Sequence, residues 1–197
     1  FNFTFVPWFR SVAPYIHKFR HQTFVVGLTG EAIDAGKLSS IVQDLAMIQA
    51  MGVKIVLVHG FRPQVNEQLR LKGQEPRYYN GMRVTDSIAL DCAQEAAGQL
   101  RYEIEAAFSQ GLPNTPMAGA RVRVISGNFL TARPVGIVDG VDFMHSGLVR
   151  KVDVEGIRNA LNSEAMVLVS PFGFSPTGEA FNLSMEEVAT RVAIELK

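Results

Sequence analysis

Apolar side chains recur at helical spacing over several stretches of the chain, and run together or alternate over short stretches between them. Up to about His21, Trp8, Phe9, Val12, Tyr15, Ile16 and Phe19 share one face, with Arg10, His17, Lys18 and Arg20 on the other. Pro14 inside this pattern predicts a kink or a restart of the helix. Residues 23–29 predict a strand, Gly30 and Gly36 flank a turn, and 39–51 predict a helix closed by Gly52. A strand at 54–59, a short helix at 63–71 and a polar loop at 73–81 follow. Thr85-Asp86 caps a long helix from Ser87 to about Gln110. Its inner face is expected at every fourth position: Ile88, Cys92, Ala96, Leu100, Ile104 and Phe108.

Residues 121–125, 129–134, 136–140 and the segment to Val149 read as short strands, an antiparallel hairpin or two set beside a main sheet. A helix at 154–161, a buried strand at 165–170, a loop at 171–178 and a return strand at 179–181 come next. The last helix, 184–197, opens with Ser184 and Glu187 at capping-box spacing. Its apolar pattern Val188, Val192, Leu196 meets no terminating Gly or Pro, as expected of a helix cut short. Strands alternating with helices across short links predict an α/β fold, a parallel sheet covered on both faces.

Composition narrows the function classes. With 197 residues and 47% hydrophobic side chains, the chain can bury a core as one domain or two very small ones. Nineteen basic against nineteen acidic residues argue against nucleic acid or an anionic membrane as the main partner. Four histidines at 17, 21, 59 and 145, with one cysteine, form no metal-ligand spacing and no internal disulfide. Apolar runs are too short to span a bilayer, and the opening residues lack the basic region of a signal peptide. Residue 1 is Phe, which suggests a processed end or the edge of an ordered fragment. Cys92 reads as a small buried hydrophobe. Glu103 and Glu105 point to different helix faces, and Ser126 and Ser170 sit in no hydrolase motif.

In open α/β sheets ligands sit beyond the carboxyl ends of strands. Three such ends are informative here, at 27–30, 59–63 and 170–182. Gly60 joins a strand to a helix, but Phe61 and Arg62 stand where a phosphate cradle would carry more glycines. A tight strand-to-helix turn explains a lone glycine equally well.

The blocks FRHQTFVVGLTG at 19–30, LVHGFRPQV at 57–65, GMRVTD at 81–86 and GEAFNLS at 178–184 resemble the amino-acid-kinase superfamily. With WFR, APYI and FR in residues 8–20, they are most similar to the N-terminal domains of bacterial N-acetylglutamate synthases. The resemblance spans essentially the whole chain in the same order. It implies a three-layer sandwich with a mainly parallel central sheet, preceded by an N-terminal helix at 1–21 for oligomerisation or regulation. Residues 22–197 would then be a kinase-like domain lacking its last third. It also implies cytoplasmic acetyl transfer from acetyl-CoA to L-glutamate, the first step of arginine biosynthesis. That transfer is performed by a separate C-terminal acetyltransferase domain. The kinase-like part senses arginine and holds a homo-oligomer together, with no cofactor of its own.

Departures from the kinase pattern are informative. The kinase lysine of Lys-x-Gly-Gly falls at Gly27, in Gly27-Leu28-Thr29-Gly30, and the glycine-rich loop becomes Gly60-Phe61-Arg62. Phosphoryl transfer rests on positioning and charge neutralisation, so losing both should cost many powers of ten. Asn182 and Glu186 partly keep a kinase Asn/Asp pair, and Arg83 matches the arginine that holds the substrate carboxylate. Tyr15 is the expected arginine contact. Each has a plainer reading: Tyr15 as a core aromatic, Arg83 as a surface arginine pairing Asp86, Asn182 as a side chain closing its own turn. Two other functions stay open, a divergent acetylglutamate kinase and a scaffold without a ligand.

Overall fold

The computed structural model describes residues 4–110, 118–119 and 121–197; the first three residues of the predicted N-terminal helix lie outside the described part. The chain opens with helix α1 (Phe5–Phe19), then strand β1 (Thr23–Leu28), helices α2 (Gly30–Asp34) and α3 (Leu38–Ala50), strand β2 (Lys54–His59) and helix α4 (Arg62–Leu71). A small hairpin, β3 (Tyr78–Tyr79) and β4 (Met82–Arg83), leads to the long helix α5 (Ser87–Ser109). Short strands β5 (Val124–Ile125), β6 (Leu130–Pro134), β7 (Ile137–Val138) and β8 (Val141–Asp142) precede β9 (Gly147–Val152). Helix α6 (Val154–Asn162), strands β10 (Met166–Val169), β11 (Phe172–Phe174) and β12 (Ala180–Asn182), and helix α7 (Met185–Glu195) complete the order.

The main sheet is parallel throughout, in the order β1-β2-β10-β5. Successive side chains of a strand point to opposite faces, and β2 shows the consequence. Ile55 and Leu57 enter one core with Leu45, Val65, Leu100 and Ile104 from α3, α4 and α5. Val56 and Val58 enter a second core with Ile157, Val188 and Val192 from α6 and α7. Both faces are thus covered by helices, the three layers expected. A second sheet, β12-β11-β6-β9, adds Leu130, Val149 and Phe181 to the second core.

Side-chain caps open α2, α5, α6 and α7. Asp86 accepts from the Ala89 N–H at 2.8 Å, and Asp153 accepts from the Gly156 N–H at 3.0 Å. At α7, Ser184 accepts from Glu187 N–H at 3.4 Å, but the return arm of the capping box is missing. The Glu187 carboxylate accepts from Val149 N–H at 2.9 Å instead, tying α7 to β9.

Several expectations need correction. Ile88 is 40% exposed, whereas Ala89, Ala93 and Ala97 are buried beside Cys92, Ala96, Leu100, Ile104 and Phe108. A strict four-residue step gains about 40° per repeat on a 3.6-residue helix, so it leaves the buried face. The polar loop before α5 holds the β3–β4 hairpin, turned by Asn80 and Gly81 at φ 49° and 79°. The loop at 171–178 contains β11, antiparallel to β12, and Gly30 begins a helix. Helix α1 runs through Pro14 without a restart. The chain turns sharply after α1 although no glycine or proline stands there: His21 itself adopts φ 67°.

Candidate functional site

Four segments meet beyond the carboxyl ends of β1 and β2 and enclose a cleft of about 350 Å³. They are the Thr29–Glu31 turn, the Gly60–Arg62 turn, the β3–β4 hairpin and the stretch from Asn182 to Glu186, with Ser146, Gly147 and Pro171 completing the lining. The floor is fixed by close backbone approach. Gly60 N–H donates to Leu28 C=O at 2.7 Å, and a Cβ on Gly60 would lie 3.1 Å from the Gly30 nitrogen. On Gly30 a Cβ would lie 2.6 Å from Gln64 Oε1 and 2.8 Å from Pro63 Cδ, so glycine is required there by space.

Arg83 and Asn182 come together in this cleft with Gly30, Gly60, Arg62 and Glu186. Arg83 is 7% exposed and is not a surface arginine. Its Nη2 donates to Asn66 Oδ1 at 2.7 Å and to the Arg62 carbonyl at 3.3 Å, while Asp86 is engaged in capping α5. Its Nη1 is buried with no hydrogen-bond acceptor among the described residues. Burial pulls the guanidinium below its ordinary pKa. Arg83 and Arg62 both lie over the Tyr78 ring, at 4.9 and 5.4 Å from its centroid. Tyr78 in turn donates to the same Asn66 oxygen at 2.8 Å.

Asn182 does not close its own turn. It starts a buried relay: its Nδ2 donates to Thr85 Oγ1 at 3.1 Å, the two hydroxyls of Thr85 and Ser146 meet at 2.8 Å, and Ser146 donates to the Arg83 carbonyl. The relay joins β12, the residues before α5 and the approach to β9 behind the cleft. Thr85→Val keeps the shape and removes the central hydroxyl, leaving buried polar groups unmatched. An expected loss of about 1–3 kcal/mol in unfolding free energy follows, readable by urea denaturation. A neutral Thr85→Val would show that the relay adds nothing to stability.

Glu186, in the first turn of α7, is held below the usual carboxylate pKa by the Ser184 hydroxyl at 2.7 Å, its own backbone N–H and the charge of Arg62. Gly27, at the position matching the kinase lysine, faces α7. A Cβ there would touch Met185 Cε at 3.5 Å and Sδ at 3.7 Å, and Met185 Sδ also lies 3.4 Å from a Cβ placed on Gly60. An uncharged thioether therefore lies against both strand ends. Lys72 is paired with Glu95 at 2.9 Å, Lys151 lies on β9, and no lysine lines the cleft among the described residues.

Tyr15 is apart from this constellation. It is 63% exposed on α1 and lines no part of the cleft, so the core-aromatic reading fails for the described chain. Phe5, Trp8 and Phe9 are exposed on the same helix, while Phe19 packs edge-on against Phe24 at 5.5 Å.

Behind the floor, His59 is wholly buried, and its Nε2 lies 2.7 Å from Ser170 Oγ. Its Nδ1 lies 3.2 Å from the Gly60 carbonyl. The arrangement has Ser170 donating to the ring and the ring donating to Gly60. Desolvation lowers its pKa from 6.5 to about 4, so it is neutral at pH 7. This pairing escapes sequence reading, as do the supporting residues Asn66, Tyr78, Thr85 and Ser146.

A parallel sheet between two helical layers, with a charged cleft at its carboxyl edge that holds two arginines and, among the described residues, no lysine, defines a ligand-binding α/β fold. The chain belongs to the amino acid kinase family, whose model matches residues 22–197. It is 62% identical to an amino-acid acetyltransferase of Ralstonia nicotianae over 98% of this chain and 43% of that protein. N-acetylglutamate synthase from Neisseria gonorrhoeae, solved with coenzyme A and L-arginine, superposes with a TM-score of 0.88 at 37% identity, over 98% of this chain and 45% of that one. The same synthase with coenzyme A and N-acetyl-glutamate superposes with a TM-score of 0.87 at 38% identity, over 98% and 43% of the two chains. The chain thus spans less than half the length of these relatives. Among the described residues no helix is long and apolar enough to cross a membrane.

Proposed function

We propose that this chain is the regulatory and oligomerising part of an N-acetylglutamate synthase, a cytoplasmic enzyme of arginine biosynthesis. Acetyl transfer from acetyl-CoA to L-glutamate takes place in another part of that protein. The observation that carries the reading is the pairing of Gly27 with Met185. The position that resemblance assigns to a catalytic lysine has no side chain, and a thioether fills the space beside it. Charge neutralisation is the main work of a phosphoryl-transfer site, so the divergent-kinase reading loses its chemistry. The test is ATP turnover with N-acetyl-L-glutamate. No phosphorylation above background is expected, and steady turnover by the purified protein would overturn the reading.

In this reading arginine is the effector, taken at α1 with Tyr15 as a contact. Tyr15 is exposed, as a residue awaiting a ligand or a neighbour would be. Tyr15→Ala is expected to weaken arginine binding in calorimetry without lowering the melting temperature. Helix α1 is also the proposed contact between copies. Its basic face carries no acidic residue, none of its residues is fully buried, and Phe5, Trp8, Phe9 and Tyr15 are solvent-facing. Covering apolar side chains of this size stabilises by about 1.5–3 kcal/mol each before ordering costs. Deleting residues 1–20 is expected to lower the assembly state in sedimentation velocity. An unchanged assembly, or a monomeric parent, would remove α1 from the interface.

A further inference from the structure

A second cavity lies at the opposite edge of the main sheet, where β2, β5 and β10 begin. Its volume is about 560 Å³, and it shares no lining residue with the cleft beyond the carboxyl ends. Three separated segments bring permanent cations to it: Arg20 after the last turn of α1, Lys54 at the start of β2, and Arg121 on the approach to β5. Glu164 is the one carboxylate among the lining residues, and His21 adds an imidazole. The whole chain balances nineteen basic against nineteen acidic side chains, so this excess is local.

Backbone hydrogen bonds lock the three segments together. His21 N–H donates to the Gly52 carbonyl at 2.8 Å, Lys54 N–H to the Gln22 carbonyl at 2.9 Å, and Met166 N–H to the Arg123 carbonyl at 2.8 Å. Lys54 Nζ donates to Asn162 Oδ1 at 2.7 Å, a neutral oxygen that leaves the charge uncompensated. None of the three cations forms an ion pair within 4.0 Å among the described residues. The residues outside that set, 1–3, 111–117 and 120, include no Asp or Glu. Cations near the carboxyl ends of α1 and α6 favour the helix dipoles, which accounts for Arg20 and Lys54. Arg121 belongs to no helix, so that explanation does not reach it. Like charges around one concavity focus a positive potential and concentrate anions there, even with the side chains in contact with solvent. Ala46, Val53, Val122 and Leu161 add an apolar wall.

We propose that this cavity is a second ligand site, taking a small phosphate monoester with its dianionic head among Arg20, Lys54 and Arg121 and its organic body on the apolar wall. This goes beyond the regulatory reading and does not rest on arginine or assembly acting through α1. Guanidiniums meet phosphate oxygens through paired hydrogen bonds, and a lysine ammonium adds a point charge. A singly charged carboxylate or sulfonate leaves more of the local excess uncompensated. Inorganic phosphate fills the charged part of the cavity and leaves the apolar wall uncovered.

The test titrates phenyl phosphate, benzenesulfonate and inorganic phosphate into the purified protein by calorimetry, at about pH 8, where a phosphate monoester is a dianion. Phenyl phosphate is expected to bind saturably. Benzenesulfonate, the same ring with one charge, is expected to be weaker by about fivefold or more, the scale of one solvent-exposed charge pair. Inorganic phosphate is also expected to be weaker than the ester. Arg121→Gln and Lys54→Gln, with melting temperatures checked, should each weaken phenyl phosphate by about fivefold. Arg70→Gln removes a cation paired with Glu67 on α4 and should leave binding unchanged. No saturable binding of phenyl phosphate, or sulfonate or inorganic phosphate binding as tightly, would overturn the proposal. So would an affinity unaltered in Arg121→Gln, which would place the ligand elsewhere, or an equal loss in Arg70→Gln, which would make the attraction general. None of these results bears on ATP turnover or on the assembly state, so the regulatory reading stands or falls separately.

Discussion

Phe181→Ala is expected to lower the unfolding free energy by about 3–5 kcal/mol, the usual loss when a buried phenylalanine is truncated. Phe181 is 2% exposed and sits in the second core with Leu130, Val149 and Val188. Its surroundings have little room to collapse. A Cβ on Gly147 would lie only 2.6 Å from the Phe181 Cβ, so the two strands already meet as closely as glycine permits. Rigid neighbours keep the cavity open, which places the loss at the upper part of the range. The next residue, Asn182, begins the buried relay to Thr85 and Ser146, so that relay should loosen together with the core. Urea denaturation of the variant beside Ile137→Ala, at a 71% exposed position, separates the core effect from a surface one. A Phe181→Ala loss below about 1 kcal/mol would mean that the second core repacks freely.

The second large effect is acid destabilisation through His59. Its pKa is about 4 in the folded protein and 6.5 in an unfolded chain. Between these values the unfolded chain binds a proton that the folded one refuses, so stability falls as pH falls. The contribution is complete above pH 6.5, shrinks through the interval and is gone below about pH 4. Taken over the whole interval it amounts to about 3 kcal/mol. Unfolding free energies at pH 7, 6 and 5 should show the slope before most carboxylates titrate. His59→Gln is expected to start lower at pH 7 and to lose that slope. An unaltered slope in His59→Gln would assign the acid sensitivity to other groups.

His59 also shows what a sequence yields and what it withholds. Both His59 and Ser170 are legible as residues at strand ends, and Ser170 looked isolated from any histidine. The missing information was strand order. β10 pairs with β2 in parallel with Val169 beside Val58, which brings the following residues, Ser170 and His59, side by side. Nothing local to either segment states that pairing. Long periodic segments were readable for the opposite reason. Cys92, Ala96, Leu100, Ile104 and Phe108 repeat often enough to define a buried face, although small residues such as Ala93 widen it beyond the row. The resemblance marks Arg83, but the side chains that hold it buried, Asn66 and Tyr78, carry no motif. The β3–β4 hairpin that delivers Tyr78 has two-residue strands, too short for alternation to show. Its Asn80-Gly81 turn was the available signal.

The joint at His21 has a mechanical consequence. The residue turns the chain with a left-handed backbone, its N–H is fastened to the Gly52 carbonyl at 2.8 Å, and Lys54 N–H holds the Gln22 carbonyl at 2.9 Å. The Arg20 side chain lies over Gly52, where a Cβ would sit 3.0 Å from its Cγ. There is no slack between α1 and β1, as a glycine linker would provide. Fifteen residues of helix extend about 22 Å from that fastening at 1.5 Å per residue. A tilt of about 10° at the root would swing the tip through roughly 4 Å on this length. The arrangement is a lever with a short bolted end and a long free arm. Whatever grips the aromatic tip pulls on the start of β1, and the far end of that strand, at Leu28, is hydrogen-bonded to the cleft floor through Gly60.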